Sequence, residues 1–428
     1  MTNYQKRKYN IKLYPFYKMF SWDLLFYYAI IYLFLTIEKG LDAPTVLILE
    51  SICHFSKIIL QPICININDM FGTRRSLIIS HIIITFSLLI LILSTKLSHL
   101  IIFNILYAFG YSLKQLCESS MLYSSLPSHS KRNFFFSKID GFSSSIFYFF
   151  DAFSMLLAGF LFTINGYLPI ITCLIFKFVS IILSLQFYSV EEEKDITFNK
   201  KQKESIQKYL HELHGILKFI LHSKRLKCLL LYSGLFTGLL TLLISLRSIV
   251  LTDINLQEEY FGIVFAVMQL IAGISSKLSV LYHKILKNKT LTYFALTLTI
   301  SMLLLGVIIT CNLPYQFIFI GTMIWLIIYS SIKGPFQTCI KQYLHSFVDN
   351  TVNTKIYAIQ TVIDSAFTIS FVLISAFLLS ITSTALTLII ISSVLLALFI
   401  LLLDYMKSYV GLKPEEYKKS EIIYTELK

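Results

Sequence analysis

Charge is scarce in this 428-residue chain: Asp, Glu, Lys and Arg together make up 14% of it, against roughly a quarter in a soluble domain. That deficit excludes a water-soluble fold and a disordered chain alike. Glycine and proline number only 15 and 8, too few for a collagen-like repeat. The seven cysteines (Cys53, Cys64, Cys117, Cys173, Cys228, Cys311 and Cys339) are odd in number and scattered. Their spacing builds neither a disulfide framework nor a zinc site. No Gly-x-x-x-x-Gly-Lys-[Ser/Thr] stretch occurs, so ATP hydrolysis within the chain is not expected as a power source. The first 18 residues are basic and rich in tyrosine without a short apolar core and cleavage site, and do not read as a removable signal.

What the chain has instead is apolar length, with 56% hydrophobic residues. A helix crossing the hydrocarbon core needs about 20 mostly apolar residues. Twelve such runs lie near 19–37, 44–64, 76–95, 100–122, 135–162, 167–187, 228–251, 260–282, 291–311, 314–335, 356–380 and 384–403. Pro44, Pro169 and Pro314 open three of them, where a missing backbone donor does no harm. With the N-terminus inside, 28 of the 37 basic residues fall in inner segments, and only Lys39 and Lys96 fall in outer loops. The positive-inside rule therefore puts both termini in the cytoplasm of a cell-membrane protein. The net charge of +13 reports this topology; no basic and aromatic stripe outside the membrane points to nucleic acid.

The longest stretch without a span, 188–227, separates two sets of six. It holds Ile206, Tyr209, Leu210, Leu213, Leu217 and Ile220 at helical spacing, which describes an amphipathic helix lying at the inner membrane surface. His211 and His214 stand in it one residue short of metalloprotease spacing and read as solvated.

Thirteen charges remain inside the spans: Lys57, Lys114, Lys138, Lys177, Arg247, Lys277, Lys333, Asp23, Glu50, Glu118, Asp140, Asp151 and Asp364. Each costs roughly 2.5–3.5 kcal/mol at mid-membrane, so each needs a cavity, a partner or the interface. The third, ninth and twelfth spans carry none and the sixth only Lys177; these are expected to face lipid, and the others to line a cavity and its gates. Counting depth along each helix puts Lys57, Asp151 and Gln269 near the middle and Glu50 and Arg247 in the outer part. Asp23, Lys114, Glu118, Lys138, Asp140, Lys277, Lys333 and Asp364 fall toward the cytoplasm. Lys114 and Glu118 are four residues apart and share a helix face; they read either as mutual neutralisation or as a gate or proton relay. Asp151 lies in an aromatic run and is a candidate proton carrier, with a structural pair to Lys57 as the alternative. Arg247 could meet Glu50 to close the outer side or snorkel to the headgroups. Trp325 is a candidate for stacking a substrate ring, and His54 reads as a packed residue. Basic cavity residues suit an anionic substrate and acidic ones a cation; both are present.

Between the second and third spans the sequence reads Asn68-Asp69-Met70-Phe71-Gly72-Thr73-Arg74-Arg75. This resembles the loop signature of the major facilitator superfamily, Gly-x-x-x-Asp-Arg-x-Gly-Arg-[Arg/Lys], at the place where that family carries it. Asp69, Gly72, Arg74 and Arg75 correspond; Ile65 replaces the first glycine and Met70 the first arginine. The resemblance implies a cytoplasmic latch in which Asp69 meets the N-terminus of the eleventh helix while Arg74 or Arg75 holds the loop. The fifth span shows Ser154-Met155 and Ala158-Gly159 in place of the Gly-Pro and Gly-Gly pairs of many drug/proton antiporters.

The expectation is thus an all-α membrane protein of twelve transmembrane helices in two six-helix bundles, 1–187 and 228–428, joined by the cytoplasmic loop 188–227. Its expected function is secondary active transport of a small solute by alternating access, coupled to protons, either as an efflux antiporter or as a nutrient symporter. A membrane sensor is the non-transport alternative. Substrate or proton binding falls to Asp23, Lys57, Lys114, Glu118, Asp151, Gln269 and Trp325, and gating to Glu50, Arg247, Lys333 and Asp364. No enzymatic activity, metal or cofactor is expected, and the partners are the solute, H+ and the lipid bilayer around a monomer.

Overall fold

The computed structural model describes residues 2–126, 132–190, 223–277, 285–286, 289–311, 313–347, 350–407 and 409–410. The amphipathic stretch expected in 188–227 lies almost wholly outside the described residues. Those that are described form helices and connecting turns, without a strand. In chain order the helices are α1 (Asn3–Ser21), α2 (Ile31–Leu33, running into a π-helical turn at Phe34–Glu38), α3 (Ala43–Phe71), α4 (Thr73–Leu93), α5 (Leu97–Ser125), α6 (Arg132–Ile164) and α7 (Leu168–Gln186). They continue with α8 (Lys224–Asp253), α9 (Glu258–Lys277), α10 (Thr290–Thr310), α11 (Tyr315–Phe347), α12 (Asn350–Ile381) and α13 (Thr384–Met406). Among the described residues, eleven of these helices, α3 to α13, are long and apolar enough to cross a membrane.

The twelfth apolar run, the first in the chain, corrects the expectation of an unbroken helix. Helix α1 stops at Ser21, and Trp22–Ile30 is turn and irregular backbone before α2 begins. Phe26 within it has φ +63°, a left-handed conformation that costs a non-glycine residue about 1 kcal/mol or more. Neither proline nor glycine stands in the stretch, so the break comes from distant side chains.

Local chemistry sets the ends of several helices. Ser223 and Ser383 accept the backbone N–H groups of Leu226 and Leu386 and so cap α8 and α13. Gly72, at φ +76°, makes the sharp turn from α3 to α4 that a side chain would resist. Lys39 donates to the carbonyls of Ile92 (3.3 Å) and Ser94 (2.7 Å) and caps the end of α4. Arg74 donates to Leu185 O at 2.8 Å and does the same for α7.

The chain divides into two compact units. The first comprises Met1–Gly40, Ile52–Tyr209 and Glu258–Ala266, and the second Leu41–Ser51, Leu210–Gln257 and Val267–Lys428. In the first, the start of α1 is anchored by Asn10, which is buried. Its amide donates to Ser125 Oγ (3.1 Å) and Tyr188 O (2.9 Å) and its carbonyl accepts from Tyr188 N (3.0 Å), using both ends of the side chain. Backbones also come very close in this unit. A Cβ at Gly262 would lie 2.6 Å from Met155 O and 2.9 Å from Leu156 O, so α6 and α9 touch where only glycine fits. In the second unit the rings of Phe367 and Phe371 on α12 pack into the notches left by Gly234 and Gly238 on α8.

Candidate functional site

The break in the first span would leave the last carbonyls of α1 without partners in a region that water does not reach, a cost of several kcal/mol per group in lipid. The carbonyls of Phe20, Ser21, Trp22 and Asp23, at and just beyond its end, are satisfied from other helices. Lys114 on α5 donates to Ser21 O (3.0 Å) and to Trp22 O. Lys177 on α7 donates to Asp23 O (2.7 Å) and Ser21 O (3.3 Å). Ser180 donates to Phe20 O at 3.0 Å. Two ammonium groups thus sit at the negative end of the helix dipole, and both lysines are at most 2% exposed. Phe20 and Phe26, on either side of the break, stack in near-parallel planes with the ring of Phe176 of α7, at 5.6 and 5.4 Å.

Lys177, the one charge of a sixth span expected to face lipid, is accounted for by these buried contacts. Its partners are backbone oxygens, which leave no mark in a tally of acids and bases. The same blindness hides Lys18, which lies ahead of the first apolar run. Lys18 is buried, makes an ion pair with Asp140 of α6, and donates to Ser144 Oγ at 2.9 Å. Tyr14 donates to the same carboxylate at 3.0 Å; burial, with the carboxylates of Glu118 and Asp140 nearby, raises its phenol above the ordinary value and keeps it a donor.

Helix α5 presents Tyr107, Tyr111, Lys114 and Glu118 at three- and four-residue spacing, hence on one face. Lys114 Nζ lies 3.7 Å from Glu118 Oε2, so the sequence pairing of these two is present. The pair is not closed on itself: the ammonium is shared with the α1 carbonyls, and Glu118 Oε1, on a residue 6% exposed, has no hydrogen-bond partner. Lys57 Nζ and Lys114 Nζ lie 4.7 and 4.9 Å from the Tyr111 ring centre. Asp23 Oδ1 accepts from Leu24 N (2.9 Å) and Tyr107 OH (3.4 Å), and Tyr107 and Tyr28 hydroxyls meet at 3.0 Å.

Asp151 is buried on α6 and takes a 3.4 Å hydrogen bond from Ser154. Among the described residues no ion pair joins it to Lys57. His81 is a further buried group that charge counting passes over. It is fully buried on α4, with Nε2 2.7 Å from Tyr17 OH and Nδ1 without a partner. Its signal in the sequence is a lone polar ring inside the otherwise aliphatic and hydroxylic third span.

The candidates Glu50, Arg247, Gln269, Trp325, Lys333 and Asp364 belong to the second unit. In the second unit Glu50 accepts from Ser245 Oγ, and Arg247 Nε donates to Ile244 O at 3.1 Å. Asp364 accepts from Ser233 Oγ (3.2 Å), which in turn accepts from Gln360 (2.7 Å), tying α12 to α8. Lys333 lies 5.9 Å from the ring centre of Tyr329. Gln269 is half-buried on α9. Trp325 is 1% exposed, with its indole N–H unpartnered, and in this structure offers no open face to a solute. Of the loop motif, Gly72 makes the turn, Arg74 caps α7 and Arg75 is exposed; the side chain of Asp69 lies outside the described residues.

Comparison with known proteins bears on the whole chain. The family profile described as Major Facilitator Superfamily matches residues 16–370. No curated protein matches. Among solved structures, a variant of the nucleoside transporter NupG is similar with TM-score 0.71 at 11% identity, over 94% of this chain and 100% of that one. A D-xylose–proton symporter is similar at 0.66 and 11%, over 96% and 98%. Peptide transporter POT in complex with alafosfalin is similar at 0.67 and 14%, over 95% of each chain.

Proposed function

Because the chain belongs to the Major Facilitator Superfamily, we propose that it is a proton-coupled secondary transporter, moving a small solute across the cell membrane by alternating access of two six-helix bundles. The bundles are 1–187 and 228–428, with 188–227 and both termini on the cytoplasmic side, as the basic residues argue. The observation that carries the proposal is the broken first span, held by Lys114 beside the half-satisfied carboxylate of Glu118. Discontinuous helices are a recurrent means of building ion and substrate sites in transporters.

The coupling follows from how Lys114 is shared. With Glu118 ionised, the ammonium is drawn both to the carboxylate and to the end of α1. A proton on Glu118 removes the first attraction and leaves Lys114 wholly to the carbonyls of Ser21 and Trp22. The position of the unwound stretch, with Asp23 on it, thereby becomes sensitive to protonation. A ligand or proton shifts a conformational equilibrium only by its differential interaction with the two states, and this shared lysine supplies one. Asp151 is a second proton candidate in the same unit. Glu50, Arg247, Lys333 and Asp364 are gate candidates, and Asp69, Gly72, Arg74 and Arg75 form the cytoplasmic latch. The similarity to a D-xylose–proton symporter supports proton over sodium as the coupling ion.

The test is uptake into proteoliposomes of the purified protein over a metabolite and drug panel, with and without an imposed pH gradient. Accumulation of a panel member against its gradient only when the pH gradient is present supports the proposal. Equal accumulation with and without the gradient, or with a sodium gradient alone, removes proton coupling.

A further inference from the structure

Resting on the transporter reading, we infer that the solute is a zwitterion of the amino-acid or short-peptide kind, its ammonium group taken by Asp23 and its carboxylate by Lys57 along the Tyr107–Tyr111 face of α5. The inference comes from accounting for the buried charges among the described residues of the first unit. Lys18 is matched by Asp140, and Lys114 by Glu118. Lys177 spends its protons on the carbonyls of Ser21 and Asp23, and Asp151 takes the Ser154 hydroxyl.

Two groups are left over. Lys57 rests its ammonium on the Tyr111 ring and has no carboxylate within ion-pair distance among the described residues. The Asp23 carboxylate has the backbone N–H of Leu24 and a long bond from Tyr107, and no cation within ion-pair distance among the described residues. Both side chains are only half-buried, so each keeps an open side. Between them Tyr107 and Tyr111, one helical turn apart, form a face with ring centres 5.8 Å apart.

The charges are opposite in sign and held at the two ends of one aromatic face. A purely anionic solute would leave Asp23 bare and a purely cationic one would leave Lys57 bare, each an expensive state inside a membrane. An uncharged sugar or nucleoside would leave both. A molecule carrying ammonium and carboxylate at once answers both groups, and the Tyr111 hydroxyl can donate to its carboxylate.

The probes are the twenty free amino acids and alanyl-alanine, tested for thermal stabilisation of the purified full-length protein in detergent. Each stabilising compound is then compared with its N-acetylated and C-amidated forms. At least one zwitterion should stabilise the protein, and blocking either end should weaken its apparent affinity at least about tenfold, the equivalent of roughly 1.4 kcal/mol. In Lys57→Gln the parent and the C-amide should become equivalent, and in Asp23→Asn the parent and the N-acetyl form. Lys57→Arg should retain the preference for a free carboxylate. Blocked forms that bind as well as the parent, or no response to any of these compounds, overturn the inference. Uphill accumulation of an uncharged sugar or nucleoside in proteoliposomes would also overturn it while leaving the transporter standing. A zwitterion that binds with this charge signature but never crosses the bilayer would uphold the site and remove transport.

Discussion

Lys177 shows how one side chain can stabilise a break in a spanning helix. It donates to the Asp23 carbonyl and shares the Ser21 carbonyl with Lys114, and an unsatisfied buried carbonyl costs about 1–3 kcal/mol. Lys177→Met should therefore lower the thermal midpoint of the detergent-solubilised protein measurably, whereas a lipid-facing lysine replaced by methionine would leave it unchanged or raise it. Asn10 makes the same kind of prediction at the other end of α1. Asn10→Ala removes three hydrogen bonds from a buried site, each worth about 0.5–1.5 kcal/mol net. Faster hydrogen exchange at the start of α1 and around Tyr188 is the expected readout. The Lys114–Glu118 pair was legible from spacing alone, because two opposite charges four apart on a helix must share a face. The roles of Lys177 and Lys18 were not, because neither a backbone acceptor nor a partner on a distant helix leaves a local pattern.

At the scale of elements, α3 to α13 stand where unbroken apolar runs of about 20 residues predict them. Hydropathy could not reveal the interruption at Trp22–Ile30, since the segment is as apolar as its neighbours and contains no helix breaker. Its cause lies in α5 and α7, in tertiary contacts rather than propensity. Helix contact in the first unit gives a further prediction. Met155 O and Leu156 O of α6 lie where a Cβ at Gly262 of α9 would be, and these are backbone atoms that no rotamer change can move aside. Gly262→Val should force α6 and α9 apart at a cost of about 1–3 kcal/mol, read as a lowered thermal midpoint. Gly273→Val, on the same helix with open space around its Cβ position, should be tolerated.

For the whole molecule, Lys114, Lys177 and Asp23 of the first unit gather at a discontinuous span. Membrane location and a solute-transporting fold were readable from composition, run length and the Asp69-to-Arg75 loop, because the bilayer imposes them on every spanning segment. The centre itself was readable only in part: Asp23, Lys57, Lys114 and Glu118 were named as charges, but the unwound backbone that brings them together was not. The proposed proton coupling requires Glu118 to change charge while Lys114 holds the end of the first helix. The direct measurement is a comparison of wild-type and Glu118→Gln protein in proteoliposomes, for uphill accumulation under a pH gradient and for solute exchange without one. Loss of pH-driven accumulation with exchange retained is the predicted result. Unchanged pH-driven accumulation in Glu118→Gln would contradict it.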